Sequence, residues 1–288
     1  MKVAIFAKNF AQENLSFIEK IIETLRKENI LISLYKPFAE ECGFANEIET
    51  FSNKQELRMP LAADYLFSIG GDGTFLDAAN LVADANIPIV GINTGRIGFL
   101  TSINRSNFDA HFRFLKEKKY EIEERNLLHL EADTELPSRF ALNDITIHPP
   151  LDSSLNSITV WQNDTKINTY WGDGLIIATP TGSTAYSLSC GGPIVMPSSD
   201  VIIITPIASH SLAVRPIVLS ANVTLQIQVE NRANAFSLSL DSHKTLVPNH
   251  TLLTITKEKF TVKTVRFTSS DFFSVISEKL LWGMDKRN

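Results

Sequence analysis

Apolar positions in the first hundred residues follow two spacings in turn. Val3 to Ala7 is a continuous apolar run of strand length, and Leu15, Ile18, Ile21, Ile22 and Leu25 then return every three or four positions, which puts them on one face of a helix. Leu31 to Leu34, Tyr65-Leu66-Phe67-Ser68-Ile69 and Ile87 to Ile92 predict further strands. A helical pattern opens at Thr74, and another covers Phe108 to Leu115. Strands and helices alternating in this way predict a parallel sheet with crossover helices. From about Tyr120 the period changes to two. Ile158 to Trp161 and Ile167 to Trp171 flank an Asn163-Asp164 turn, Leu225, Ile227 and Val229 alternate with Gln226 and Gln228, and Phe236, Leu238 and Leu240 alternate with Ser237 and Ser239. The tail, Phe272 to Leu281, has helical spacing again. The expected fold is an α/β amino-terminal domain with a parallel sheet followed by a β-rich carboxy-terminal domain, with no long linker, repeat or low-complexity segment.

Composition narrows the function classes. With 44% hydrophobic and 20% charged residues among 288, the chain can bury the core of one large or two ordinary domains. A formal net charge of −5 argues against a nucleic-acid binder, which usually carries a basic face. No apolar stretch reaches membrane-spanning length, and Met1-Lys2-Val3-Ala4-Ile5-Phe6 runs straight into a strand, so a cytoplasmic protein without membrane contact is expected. Cys42 and Cys190 have neither metal nor redox spacing and read as free thiols.

The densest chemistry lies in Ser68-Ile69-Gly70-Gly71-Asp72-Gly73-Thr74, between a strand and a helix. Glycines at such a turn supply positive φ and let phosphate oxygens reach main-chain N–H groups, and the helix start adds partial positive charge. No Lys follows in P-loop fashion, and the spacing is not that of the dinucleotide fingerprint. A carboxylate beside phosphate repels it, so Asp72 is expected to handle a hydroxyl proton or a metal ion. Downstream, Gly172-Asp173-Gly174 leads through an apolar strand into Thr179-Pro180-Thr181-Gly182-Ser183-Thr184-Ala185-Tyr186-Ser187-Leu188-Ser189. Ser183 or Thr184 is the expected N-cap of a short helix, the hydroxyls suit ribose and phosphate oxygens, and Tyr186 offers a ring for stacking. A third segment, Asn143-Asp144, opens an alternating strand where an amide and a carboxylate suit an adenine edge and a ribose diol. Taken alone, Asn-Asp is a turn signal.

Gly70-Gly71-Asp72-Gly73-Thr74, Asn93-Thr94-Gly95-Arg96-Ile97-Gly98-Phe99-Leu100, Asn143-Asp144, and Asp173-Gly174 through Ser187 together resemble the NAD kinase family in order and separation, over nearly the whole chain. The first motif is shared with lipid kinases and, more loosely, with phosphofructokinases, and the segment around Thr179 to Ser187 separates the NAD kinases from them. The resemblance implies transfer of the γ-phosphoryl group of ATP to the 2′-hydroxyl of the adenosine ribose of NAD. Asp72 is then the base, Gly70, Gly71, Gly73 and Thr74 hold phosphates, and Mg²⁺ offsets their charge through ligands that remain unknown. Asn143, Asp144, Asp173, Thr184, Ala185, Tyr186, Ser187 and Ser189 are implied to bind the dinucleotide, with Ala208 and His243 as further members. The resemblance also implies a homodimer or homotetramer. It places residues 1–100 and the tail 268–288 in one domain, with the carboxy-terminal helix packed back on it, and residues 101–267 in a β-rich dinucleotide-binding domain.

Two positions depart from the family pattern. Trp171 and Asp77 stand where many relatives carry a basic residue, which leaves Arg96, Lys166, His210 and Arg215 as substitute cations. His111 and His148 read as structural. The competing readings are a lipid or sugar kinase sharing only the first motif, and a non-catalytic dinucleotide sensor. Retention of Asp72 disfavours the sensor, because binding alone gains nothing from that carboxylate.

Overall fold

The computed structural model describes all residues except 9–13, 60, 96–97, 151–155, 268–271 and 282–288. The chain divides into two units, Met1–Glu124 with Val262–Asn288, and Arg125–Thr261. The first contains β1 (Lys2–Ala7), α1 (Leu15–Lys27), β2 (Leu31–Tyr35), α2 (Lys36–Glu41), β3 (Glu49–Phe51), α3 (Lys54–Arg58), β4 (Tyr65–Ile69), α4 (Asp72–Val82), β5 (Ile89–Ile92), α5 (Phe108–Lys116) and β6 (Glu121–Arg125). The second contains β7 (Leu128–Glu131), β8 (Phe140–Ala141), β9 (Asp144–His148), β10 (Asn156–Gln162), β11 (Thr165–Gly172), β12 (Gly174–Ala178), α6 (Tyr186–Ser189), β13 (Val201–Ile207), β14 (Ile217–Ser220), β15 (Leu225–Glu230), β16 (Ala235–Leu240), β17 (His243–Pro248) and β18 (Leu253–Lys257). The chain then returns to the first unit with β19 (Val262–Arg266) and α7 (Phe272–Leu280).

The first sheet runs β3-β2-β1-β4-β5-β19-β6, and its pairings β1/β2, β1/β4, β2/β3, β4/β5 and β5/β19 are parallel. β1 and β5 are buried almost throughout, which is why they read as continuous apolar runs. Phe17, Ile18, Ile21, Ile22 and Leu25 of α1 join Val3, Ile5 and Ala7 in one core. The strand order reverses between β1 and β4, and in open α/β sheets ligands bind beyond the carboxyl ends of the strands at such a point. Gly70, Gly71 and Asp72 stand there.

The second unit is a pair of antiparallel sheets, β11-β10-β15-β18-β7-β8 and β14-β13-β12-β9-β16-β17. Their inner faces share one core, to which Ile158, Val160, Leu225, Ile227 and Val229 contribute from one sheet and Ile145, Ile147, Leu175, Ile177, Ile202 and Ile204 from the other. Asn163 and Asp164 both take positive φ, +45° and +68°, as a two-residue hairpin turn between β10 and β11 requires. The outer face of the second sheet, with Ile176, Ala178 and Ile203, is covered by Cys190 and Val195. No helix among the described residues is long and apolar enough to cross a membrane.

The unit boundaries fall at 124/125 and 261/262, against the expected 100/101 and 267/268. Helix α5 and strands β6 and β19 account for the difference. The five residues Val262–Arg266 carry no period that assigns them to one sheet, and nothing local records that Thr264 pairs with Ile89.

Candidate active site

In the first unit, the turn from β4 into α4 is tight because of one glycine rather than three. Gly70 has φ +154°, and a Cβ there would lie 2.3 Å from Thr74 Oγ1, so only glycine fits. Gly71 is the N-cap of α4 with φ −84°. Gly73 also lacks positive φ, contrary to the reading that gave it to all three glycines. Both Gly71 and Gly73 are exposed, with no atom within 4 Å of where a Cβ would stand, so main-chain N–H groups at the start of α4 are open to an anion.

Asp72 is the first residue of α4, where the helix dipole favours a carboxylate. Its side chain turns to the segment after β5. Oδ2 accepts the Phe99 N–H at 2.8 Å, and Oδ1 accepts the Leu100 N–H at 3.2 Å and the Thr101 hydroxyl at 3.4 Å. Gly98 packs so closely that a Cβ there would stand 1.8 Å from Asp72 Oδ1. In the sequence, residues 93–100 carry a family pattern and no further sign of this contact. The cluster of glycines ending in Thr101, directly after a buried strand, does not say which side chain the loop will meet. Near the same helix, Lys8 Nζ lies 3.1 Å from Asp77 Oδ2, so a cation absent from α4 itself is supplied from the end of β1. Arg96, one of the expected substitutes, lies outside the described residues.

In the second unit, register brings several expected residues together. Ala178 pairs with Asp144, and Leu240 with Ile145, so the start of β9, the end of β12 and the end of β16 share one edge. The Asp241 carboxylate accepts the N–H groups of Leu142, Asn143 and Asp144 at 2.8, 2.8 and 3.1 Å, and Asp241 N–H donates to Asp144 O at 3.0 Å. Thr179 completes the corner, donating its N–H to Asn143 O at 2.9 Å and its hydroxyl to Leu142 O at 2.6 Å. Asp241 was not among the expected site residues. Its neighbour His243 was, and only the β16/β17 turn reveals that the carboxylate faces inward.

The opposite end of this sheet carries Asp173, His148 and Ala208, the last with φ +43°. Tyr186, 40% exposed, stacks on His148 with ring centroids 5.8 Å apart and planes at 29°. His148 therefore packs against the Tyr186 ring, and His111 is bonded to Asn107 O at 2.9 Å and packed edge-on against Phe267. Neither Ser183 nor Thr184 caps α6: the Ser183 hydroxyl exchanges hydrogen bonds with the Val195 backbone, and that of Thr184 donates to Thr181 O at 3.2 Å. Ser187, expected to touch ligand, is fully buried, and its hydroxyl bonds that of Thr205 at 2.8 Å, which seats α6 on β13. Lys166, His210 and Arg215 are exposed, and Arg215 donates to the carbonyls of Leu212 and Val214 in its own loop.

The electrostatics of the second unit are dominated by burial. It pushes the Asp144 carboxyl up to about 6, opposed by the hydrogen bond from the Thr146 hydroxyl and reinforced by Asp241. Burial also raises Asp241, against its three N–H donors, and lowers His148, which is bonded to the Asp173 backbone. Among the described residues, nothing in the protein bonds the buried Asn143 Oδ1 and His243 Nδ1. Such polar atoms are costly unless something bonds them, and an amide oxygen at this corner suits an exocyclic amine. Among the described residues, no three His, Cys, Asp or Glu side chains group to hold a metal ion.

A family model described as the ATP-NAD kinase N-terminal domain matches residues 3–120, and one described as the ATP-NAD kinase C-terminal domain matches residues 142–267. Curated NAD kinases of Flavobacterium psychrophilum and Bacteroides fragilis are 38% and 39% identical, in each case over all of this chain and all of the relative. Among solved structures, an NAD kinase from Archaeoglobus fulgidus in complex with ATP superposes with a TM-score of 0.75 at 26% identity, covering 98% of this chain and 99% of that one. Yeast NADH kinase complexed with NADH superposes with a TM-score of 0.87 at 24% identity, over 100% of this chain and 89% of that one, and shows the same fold.

Proposed function

Because this chain belongs to the ATP-NAD kinase family, we propose that Asp72 is its catalytic base and that the corner around Asn143 and Asp144 receives the nucleoside. The reaction is ATP-dependent phosphorylation of NAD. The 2′-oxygen of the adenosine ribose forms a bond to the γ-phosphorus, the bond from that phosphorus to the β,γ-bridging oxygen breaks, ADP leaves, and the hydroxyl proton passes to the Asp72 carboxylate. An aspartate is a weak base toward an alcohol, so the proton moves late and positioning carries much of the acceleration. The match over residues 142–267 covers the segment that a lipid or sugar kinase sharing only the first motif would lack.

What supports a base at Asp72 is its placement: a carboxylate with both oxygens fixed by loop donors, one turn from open N–H groups suited to phosphate. Gly70 shapes that cradle, Gly71, Gly73 and Thr74 line it, and Lys8 adds a cation beside α4. Mg²⁺ enters as part of the substrate on the triphosphate, the usual mode for an ion that dehydrates reluctantly. Asn143 Oδ1 reads the adenine amine, Asp144 takes ribose hydroxyls, Tyr186 stacks on the base, and Asp173, Thr184, Ala185, Ser189, Ala208 and His243 complete the dinucleotide contacts. Ser187 acts through the seating of α6. The enzyme works in the cytoplasm as a homo-oligomer.

Asp72→Asn tests the assignment. Turnover, followed with ATP, Mg²⁺ and NAD through an NADP-specific dehydrogenase, is expected to fall to below roughly a hundredth, while NAD binding by calorimetry persists. Retention of more than about a tenth of wild-type turnover removes Asp72 from the role of base.

A further inference from the structure

The hydroxyl of Thr101 stands at the centre of a buried polar relay. Thr101 and Asn93 are 2% and 4% exposed. The Asn93 amide is oriented by its own contact, since Oδ1 accepts the Gly95 N–H at 2.7 Å, which leaves Nδ2 facing Thr101 and donating to its Oγ1 at 3.0 Å. Gly98 N–H donates to the same oxygen, also at 3.0 Å. A hydroxyl has two lone pairs and one proton. Both lone pairs are taken by groups that only donate, so the proton has one remaining direction, toward Asp72 Oδ1 at 3.4 Å. That distance is long for a hydroxyl–carboxylate bond, as such contacts often are before substrate is bound.

The carboxylate can then be counted oxygen by oxygen. Oδ1 receives Leu100 N–H and the Thr101 hydroxyl, which fills it. Among the described residues Oδ2 receives one donor, Phe99 N–H, which leaves it a lone pair for a substrate proton. We propose that Thr101, aimed by Asn93, is a positioning residue for the base: it saturates Oδ1 and leaves Oδ2 as the one atom of Asp72 that takes the proton of the acceptor hydroxyl. This rests on Asp72 being the base. Gly98 belongs to the same device, since any side chain there would occupy the place of Oδ1.

Three variants test it against wild type and Asp72→Asn. Thr101→Val keeps the shape and removes the proton, so kcat should fall roughly 10- to 100-fold, with KM for NAD and for ATP changed less than about twofold. Thr101→Ser restores the hydroxyl and should return kcat to within about threefold of wild type. Asn93→Asp offers the hydroxyl a competing acceptor and should turn its proton away from Asp72, reproducing the kcat loss of Thr101→Val. If Thr101→Val does not fold by circular dichroism, Asn93→Asp and Thr101→Ser carry the test. Combined with Asp72→Asn, the loss from Asn93→Asp or Thr101→Val should disappear, as for groups acting as one unit. Unchanged kcat in both Thr101→Val and Asn93→Asp, or a loss that Thr101→Ser fails to rescue, or one shared equally by KM and melting temperature, overturns the proposal. Full activity in Asp72→Asn instead removes the base itself, a result distinguishable from all of these.

Discussion

Asp144 shows what a single side chain costs where the fold needs it buried. Its carboxyl titrates at about 6 when folded and near 3.8 when unfolded, chiefly because burial disfavours the charge. Below the lower value both states are protonated and no penalty exists. Between the two, the unfolded chain has lost its proton while the folded one keeps it, so stability falls as pH rises, by about 3 kcal/mol once pH passes 6. Asp144→Asn keeps an oxygen for the Thr146 hydroxyl and has no charge to bury. Its melting temperature relative to wild type is therefore expected to rise between pH 4 and pH 7, as followed by thermal unfolding in parallel buffers. A difference independent of pH would show that Asp144 titrates normally. At this scale the sequence was informative about residue types and less so about their partners. Asp72 stood out because a carboxylate beside a phosphate-binding turn has little structural use, and Asn143-Asp144, a turn signal taken alone, stood out only alongside the other motifs. Thr101 and Asp241 did not, because their significance lies in which oxygen meets which N–H across 29 and 97 to 99 residues of chain.

Among the elements, the corner of β9, β12 and β16 depends on one carboxylate that accepts three consecutive N–H groups. Asp241→Asn replaces an acceptor oxygen by an amine, which sets donor against donor inside the corner. A loss of roughly 1 to 3 kcal/mol is expected, together with weaker NAD binding, because the corner also holds Asn143. Chemical denaturation and calorimetry of the same variant check both parts, and full stability with normal binding would mean that the turn holds without its anchor. Elements with a strong period were legible: α1, β1, β15 and β16 follow their apolar spacing closely. The short helix α6 was legible in place but not in cause. Its seat is the Ser187–Thr205 contact, where the expectation was a capping hydroxyl at Ser183 or Thr184.

For the whole molecule, exposed apolar side chains and open sheet edges bear on assembly. Trp171 on the edge strand β11 and Leu212 beyond β13 are 53% and 91% exposed. We expect a homo-oligomer in which the surroundings of Asp173 meet a site served by another subunit's Asp72. Mixing Asp72→Asn with Asp173→Asn should then restore partial activity after subunit exchange, and a fully active monomer by light scattering would refute this. The two-domain character was readable because the apolar period changes from helix-and-strand alternation to two near Tyr120. The strand that returns to the first sheet was not, because a sheet accepts partners from any distance along the chain and a five-residue strand carries no address.

That return sets an order of events during synthesis. The sandwich, Arg125–Thr261, is one uninterrupted stretch and has all of its strands once residue 261 has left the ribosome. The first sheet does not: β19 lies between β5 and β6, so β6 has no neighbour until residues 262–266 arrive. The segment made first is thus completed last, and its unpaired β5 edge waits while roughly half the chain is translated, at a rate of about 5 to 20 residues per second. The closure also joins strands about 170 residues apart, the kind of long-range pairing that is slow to form. Nascent-chain vulnerability should therefore concentrate at β5 rather than in the β-rich unit.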